Sequence, residues 1–305
     1  MPDKLTSLRE AIAEHVLDGA SIVIGACLES MIPFAATYEI IRQGKRNLDV
    51  IAPISDASTD MLIGAGCATG VTGAWVGNVS GGLGHNYRRA AEKAEPRPLT
   101  IRDHSNFSLA MALTAGAYGL PYVPIRSLLG SDLLKSNPAF RLADDPFTGM
   151  PTVLVPPLRP DVAILAVQRA DAHGGNHFWG NSGVAAEAGL SAETVILVAD
   201  EIVAPEVIAS DPNRALIPAF RVTAVVHQTA AVHPSPMQGR WGRDTDFFHA
   251  YHAASRDRAG FLAWLDEWVR GVADHDAYLA KLGDRMDALR IRGEALAAPV
   301  NYAAH

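Results

Sequence analysis

The sequence predicts an α/β fold: an open, mainly parallel sheet flanked by helices, with a helical cap at the C-terminal end. Three observations predict it. Short runs that are apolar at nearly every position, such as Ser21-Ile22-Val23-Ile24-Gly25, suit strands buried on both faces. These runs alternate with segments whose apolar residues recur at helical spacing, which implies βαβ units and parallel strands. From Asp244 onward the pattern is helical alone.

In order, Leu8, Ile12 and Val16 mark a helix over residues 7–16 that stops at Asp18-Gly19. A strand follows over 21–25. Pro33 opens a helix through Ile41, with Gly44 just past its end. The reading continues with a strand over 48–54, a short helix over 59–64 and a strand over 71–76. Helices are expected over 87–93 and 106–118, with a strand over 99–102 between them. Residues 128–151 read as a long irregular excursion rich in Pro, Asp and Gly, and loops of that length are usually functional. Further strands are expected over 161–168, 194–199 and 220–227. Two aromatic stripes close the chain, Phe247, Phe248 and Tyr251, then Phe261, Trp264, Leu265 and Trp268, and these read as core or subunit interface. Residues 1–283 are taken as one domain and 284–305 as a tail.

The chain has 305 residues, of which 49% are hydrophobic and 19% charged, enough to bury a large core. A formal net charge of −7 with scattered Lys and Arg excludes a basic footprint for nucleic acid. The charge-free stretch from Asn106 to Ile125 is broken by Gly116, Gly119, Pro121 and Pro124, which argues against a membrane span. Met1-Pro2-Asp3-Lys4 leads straight into an amphipathic pattern, so no signal peptide is expected. Cys27 and Cys67 form neither a disulfide framework nor a zinc spacing. The expectation is a cytoplasmic enzyme chain.

Three segments carry chemistry. Asp18 to Pro33 is a turn, a buried strand and a small-residue loop containing Gly25 and Ala26 at the strand's carboxyl end, where open α/β sheets bind ligands. A plain strand-to-helix turn is the structural alternative. Gly77-Asn78-Val79-Ser80-Gly81-Gly82-Leu83-Gly84 can expose N–H donors to an anion, but it is neither a P-loop nor a dinucleotide fingerprint. Its polar side chains, Asn78 and Ser80, can orient a carbonyl or cap the turn. At His104-Ser105-Asn106-Phe107, Ser105 or Asn106 fits an N-cap, and both can also face the same crevice.

Other chemistries lack an anchor. His173 and His177 are separated by Gly174-Gly175, and His249 and His252 have no third ligand nearby, so no metal site is expected. No Gly-x-Ser-x-Gly elbow is present. Glu29, past the first strand, reads as a solvated surface acid.

The Asp18 to Pro33 stretch resembles the signature of class I coenzyme A transferase A subunits, with Ala26 and Cys27 in place of Gly-Phe and Met31 in place of Gly. Other segments extend the resemblance, in family order: Asp60-Met61-Leu62-Ile63-Gly64, Tyr118-Gly119-Leu120-Pro121-Tyr122-Val123-Pro124, Gly130-Ser131, Asp161-Val162-Ala163-Ile164 with Gln168, Glu201-Ile202, His233-Pro234-Ser235, and Asp274-His275-Asp276-Ala277-Tyr278-Leu279 with Lys281-Leu282-Gly283. Together they look like glutaconate CoA-transferase A subunits from Leu8 to Gly283.

The resemblance implies the CoA-transferase/NagB-RpiA-like α/β fold and a heteromer of A and B chains, commonly two of each. It implies ping-pong exchange of CoA between an acyl-CoA and a carboxylic acid through a glutamyl thioester. CoA is then part of the substrate, and no permanently bound cofactor is expected. The family's nucleophilic Glu belongs to the B subunit, and no Glu of this chain precedes Asn-Gly, the setting of that nucleophile. This chain is thus expected to carry no catalytic residue of its own. By position, Asn78 falls near a small polar loop residue of the family, and Ser105 and Asn106 match a Ser-Gln pair. The candidate substrate-binding residues are Gly25, Ala26, Asn78, Ser80, Ser105 and Asn106. Relatives resembling steroid ring-opening CoA hydrolases have an acid at the position of Asn106, and an amide is no general base. Hydrolysis or decarboxylation on the same heteromer is the rival activity. A sugar-phosphate sensor is the distant one, and it lacks a helix-turn-helix here.

Overall fold

The computed structural model describes residues 2–54 and 56–292. The chain begins β1 (Leu5–Thr6), α1 (Leu8–His15), β2 (Ser21–Ile24), α2 (Phe34–Arg42), β3 (Leu48–Ala52), α3 (Asp56–Gly64) and β4 (Ala68–Gly73). A hairpin of β5 (Gly77–Asn78) and β6 (Gly82–Leu83) leads to α4 (His85–Lys93), β7 (Thr100–Asp103) and α5 (Asn106–Ala117). Next come β8 (Val123–Ile125), α6 (Leu133–Ser136), β9 (Arg141–Asp144) and β10 (Pro151–Val155). The second half runs β11 (Val162–Ala170), β12 (Asn176–His177), α7 (Ala185–Ser191), β13 (Thr194–Ile202), α8 (Pro205–Ala209) and β14 (Ala224–His227). Helices α9 (Thr245–Ala254), α10 (Arg258–Leu265), α11 (His275–Leu282) and α12 (Arg285–Leu289) close the described residues.

The central sheet has the order β1-β14-β13-β11-β2-β3-β4-β7, with β12 off β11. Every pairing along that order is parallel, and β12 alone in this sheet is antiparallel. The apolar runs make this possible because alternate side chains serve opposite faces. Ile22, Ile24, Val162, Ile164, Ile196 and Val198 enter one core, while Val23, Ala163, Leu165, Val195 and Leu197 enter the other. The first core is filled by α1 to α3 and the C-terminal helices, and the second by α5 and α7.

The aromatic stripes are core. Phe248 meets Phe34 edge-on at 5.8 Å, and Tyr278 packs on Tyr38 at 5.2 Å. A buried carboxylate on α3 ties this cap to α3 and α4. Asp60 accepts hydrogen bonds from the Tyr251 hydroxyl at 2.6 Å, Asn86 Nδ2 at 3.0 Å and the Tyr87 amide at 2.7 Å. The last of these caps α4, whose own N-cap residue, Gly84, has no side chain to do so. Burial raises the Asp60 carboxyl above its ordinary range, and its three donors oppose that.

Several expectations need correction. The strand expected over 71–76 is β4, ending at Gly73, and Trp75 and Val76 leave the sheet for its rim. The strand expected over 220–227 starts at Ala224, because Pro218 opens a 3-10 turn that leaves Phe220 79% exposed. The excursion at 128–151 is not structureless: β10 pairs with both β8 and β9 in a small antiparallel sheet over its own core of Ala112, Ile125, Leu128, Phe140 and Val153. Helix α7 and the β5–β6 hairpin went unread. Of the tail, α12 and Arg290 pack back near Trp241, while residues 293–305 lie outside the described residues. No helix among the described residues is long and apolar enough to cross a membrane.

One glycine reports how tightly the second layer is built. A Cβ on Gly116 would strike the Leu158 carbonyl and come within 2.9 Å of Ser191 Cβ, where α5 meets α7. Gly116→Ala is therefore expected to lose about 2 kcal/mol of stability by overpacking, despite alanine's better helix propensity. A denaturant midpoint equal to or above wild type would refute that.

Candidate functional site

Chain order reverses between β11 and β2, which places a crevice at the carboxyl ends of the strands. The loops after β2, β4 and β7 all leave this edge. Adjacent strands are about 4.8 Å apart, so the three sheet steps from β2 to β7 span roughly 14 Å.

The loop after β2 is tightly constrained. Gly25 has φ +79°, and Ala26, Leu28 and Met31 have φ of 64°, 61° and 57°, in the left-handed region that L side chains rarely adopt. Surrounding elements hold them there. The Ala26 carbonyl accepts from the Val184 amide at 2.9 Å, the Met31 amide donates to Pro236 at 2.9 Å, and Ser235 Oγ donates to the Glu29 carbonyl at 2.7 Å. Gly183, itself at φ +51°, lies so close that a Cβ would collide with the Ala26 carbonyl. Strain concentrated in this way marks a backbone whose shape matters. Cys27 is not a ready nucleophile: burial pushes its thiol up to about 12. Glu29 is exposed, as the sequence reading expected.

In the Gly-rich loop, Asn78 is buried and turns inward. Its Nδ2 donates to the Phe248 carbonyl at 2.8 Å, and its Oδ1 accepts from the amides of Ser80 at 3.0 Å and Gly81 at 3.1 Å. Ser80 Oγ accepts from Arg243 Nη2 at 3.0 Å and Nε at 3.2 Å. Arg243 also reaches the fully buried Asp56, whose other oxygen takes the Val79 amide at 2.8 Å. Burial raises the Asp56 carboxyl against the pull of Arg243.

At the start of α5, Ser105 is the N-cap and forms a reciprocal capping box with Ser108. The cap reading of Ser105 is thereby met. Asn106 occupies the first helical position and is exposed, and its side chain makes no hydrogen bond to any described residue. First-turn N–H groups and the positive end of the helix dipole lie beside it. His104 is buried with Nδ1 3.2 Å from Ser108 Oγ, and burial lowers its pKa to about 4.

The structure thus brings Asn78 and Ser80 into direct contact, and sets Ser105 and Asn106 on the neighbouring strand end. Gly25 and Ala26 sit two strands from β4 on the same edge. A cavity of about 420 Å³ flanks β4 and β7 on the α4 side, lined by Trp75, Val76, Leu83, Tyr87, Arg88 and Asp103. Sequence reading missed Asp56 and Arg243, since nothing local pairs residues 187 positions apart. His173 and His177 each direct a ring nitrogen at a backbone carbonyl, and among the described residues no cluster of three or more His, Cys, Asp or Glu is arranged to hold a metal.

Residues 5–228 match the family model for coenzyme A transferase. The chain belongs to the coenzyme A transferase family. It is 40% identical over 281 residues to the A subunit of the 3-oxoadipate CoA-transferase of Pseudomonas knackmussii, covering 92% of this chain and 99% of that one. It is 32% identical over 296 residues, 92% of each chain, to the A subunit of the glutaconate CoA-transferase of Acidaminococcus fermentans. The crystal structure of the A. fermentans glutaconate coenzyme A-transferase matches with a TM-score of 0.90 at 31% identity, covering 95% of this chain and 96% of that chain. A cholesterol ring-cleaving hydrolase subunit of Mycobacterium tuberculosis is 26% identical over 297 residues, 93% of this chain and 99% of that one.

In this coenzyme A transferase chain, the glutamates just past β2, at the end of β13 and on the cavity wall are committed or solvated. Burial disfavours ionisation of Glu201, but Arg240 and Arg169 outweigh it and hold the carboxyl below its usual range. Glu92, on the cavity wall, pairs with Arg88 at 2.7 Å. Glu29 remains exposed on the loop after β2.

Proposed function

We propose that this chain is the A subunit of a heteromeric CoA-transferase of two A and two B chains, exchanging CoA between an acyl-CoA and a short dicarboxylic acid of the 3-oxoadipate or glutaconate kind. A B-subunit glutamate is the nucleophile. Its carboxylate attacks the thioester carbonyl and expels CoA thiolate, giving a mixed anhydride. The thiolate then attacks the glutamyl carbonyl and releases the carboxylate product, leaving a glutamyl thioester. An acceptor carboxylate reverses both steps. Gly25, Ala26, Asn78, Ser80, Ser105 and Asn106 form or shape this chain's side of the acyl crevice. Negative charge develops on the carbonyl oxygen at each attack, and the N–H groups at the start of α5 are the donors this reading assigns to stabilise it.

The 40% identity over almost the whole of a CoA-transferase A subunit carries this reading. Hydrolysis is the second reading, favoured by the 26% match to the ring-cleaving hydrolase. Asn106 speaks against it, because an amide cannot take a proton from water.

The test is exchange of CoA between acyl-CoA and carboxylate with the A chain alone and co-assembled with a B chain. Exchange is expected from the assembly alone, and borohydride added with acyl-CoA should abolish it by reducing the glutamyl thioester. Borohydride-insensitive CoA release without an acceptor would overturn the transferase reading.

A further inference from the structure

We infer that Arg243 is a positioning residue that sets the shape of the Gly-rich crevice loop, residues 77–84, from the C-terminal helical cap. The inference rests on the reading above that this loop faces the acyl group. Arg243 lies just before α9, with its guanidinium 4.0 Å from the centre of the Phe248 ring. Its Nη2 is 2.7 Å from Asp56 Oδ2 and 3.0 Å from Ser80 Oγ, and its Nε is 3.2 Å from the same hydroxyl. One planar group thus joins three parts of the molecule: the start of α3, the loop, and the cap.

The loop has little freedom apart from these ties. Its consecutive amides at Val79, Ser80 and Gly81 are taken by Asp56 and Asn78, and the Ser80 carbonyl lies 3.0 Å from His249 Nε2. Asn78 is itself fixed by the Phe248 carbonyl. A Cβ at Gly81 would come within 2.5 Å of the His252 ring, so the loop lies flat against α9. Every tie named here ends on α3, on the cap, or within the loop. A turn between a strand and a helix needs none of this. A surface whose shape must be reproduced to a fraction of an ångström does, because small misplacements near reacting groups reduce turnover steeply.

Lysine could not substitute. Its ammonium is a point charge without the planar fork that serves Asp56 and Ser80 at once, and it stacks poorly on Phe248. Arg243 acts through the loop, so its loss should appear in turnover and in loop mobility together. The experiment compares Arg243→Lys with wild type in the assembled A/B complex, reading amide hydrogen exchange of residues 77–84 beside steady-state kinetics. We expect faster exchange confined to that segment, kcat lowered by about tenfold or more, and KM for acyl-CoA changed less than about threefold. Arg243→Ala should regain part of its turnover on addition of low concentrations of guanidinium. Unchanged loop exchange would overturn the inference, and so would a loosened loop with kcat intact. A wild-type assembly that exchanges loop amides as expected but transfers no CoA would overturn the functional reading instead.

Discussion

Replacing Asn106 by Glu in the assembled complex is expected to raise acceptor-independent CoA release by at least about tenfold. The side chain is exposed at the first position of α5 and has no hydrogen bond to lose among the described residues, so the substitution should leave the fold intact. A carboxylate in a first helical turn also complements the dipole, which favours its ionised form. An ionised carboxylate beside the thioester can take a proton from water and direct the hydroxide at the carbonyl or at the glutamyl intermediate. The amide can do neither. Transfer to carboxylate should fall in proportion, since water then competes for the same intermediate. Asn106→Gln is the control, adding length without basicity. If Asn106→Glu hydrolyses no faster than Asn106→Gln, Asn106 lies out of reach of the thioester and drops from the candidate site.

How much was legible in advance depended on the range of the interactions. Strands β2, β11 and β13 are legible because burial on both faces forces apolar residues at nearly every position, and that needs no partner to be recognised. The pairing of β8 with β10 was not, because strands of three to five residues with Pro124 and Pro151 among them read as loop. Ser105 was legible as a cap because its partner, Ser108, is three residues on. Asn78 was legible as a polar residue in a Gly-rich turn, but its inward direction depends on Phe248, 170 residues away. The Asp56–Arg243 contact is of the same long-range kind, and the sequence pattern starts that helix only at Thr59, past Asp56.

Two buried histidines should each cost the folded chain stability as pH falls from about 6.5 to 4, in the same direction as the buried His233, which burial also lowers. His104 and His275 are each less than a tenth exposed, and burial lowers both to about 4. His275 Nε2 lies 3.1 Å from the Thr229 carbonyl, and its Nδ1 is buried without a partner among the described residues. With folded values below the unfolded one of about 6.5, the unfolded chain binds more protons in this window. Their contribution is therefore fully present above about pH 6.5 and is lost as pH falls towards 4. Each histidine should lose about 2 kcal/mol between pH 7 and pH 5. Asp56 and Asp60 act the other way, because burial raises their pKa values, so acid relieves them. Asp244 opposes that relief at still lower pH: burial disfavours its charge, but His233 and Arg285 outweigh burial and hold its carboxyl well below the usual range. That stability is present above about pH 4 and is lost only below it. The check is reversible denaturant unfolding at pH 7 and pH 5 of wild type, His275→Gln and His104→Asn, which keep a hydrogen-bonding nitrogen but do not titrate. Each variant should show a pH sensitivity smaller by about 2 kcal/mol. Variants as acid-sensitive as wild type would mean that these imidazoles are protonated in the folded chain at pH 5, with water reaching both sites.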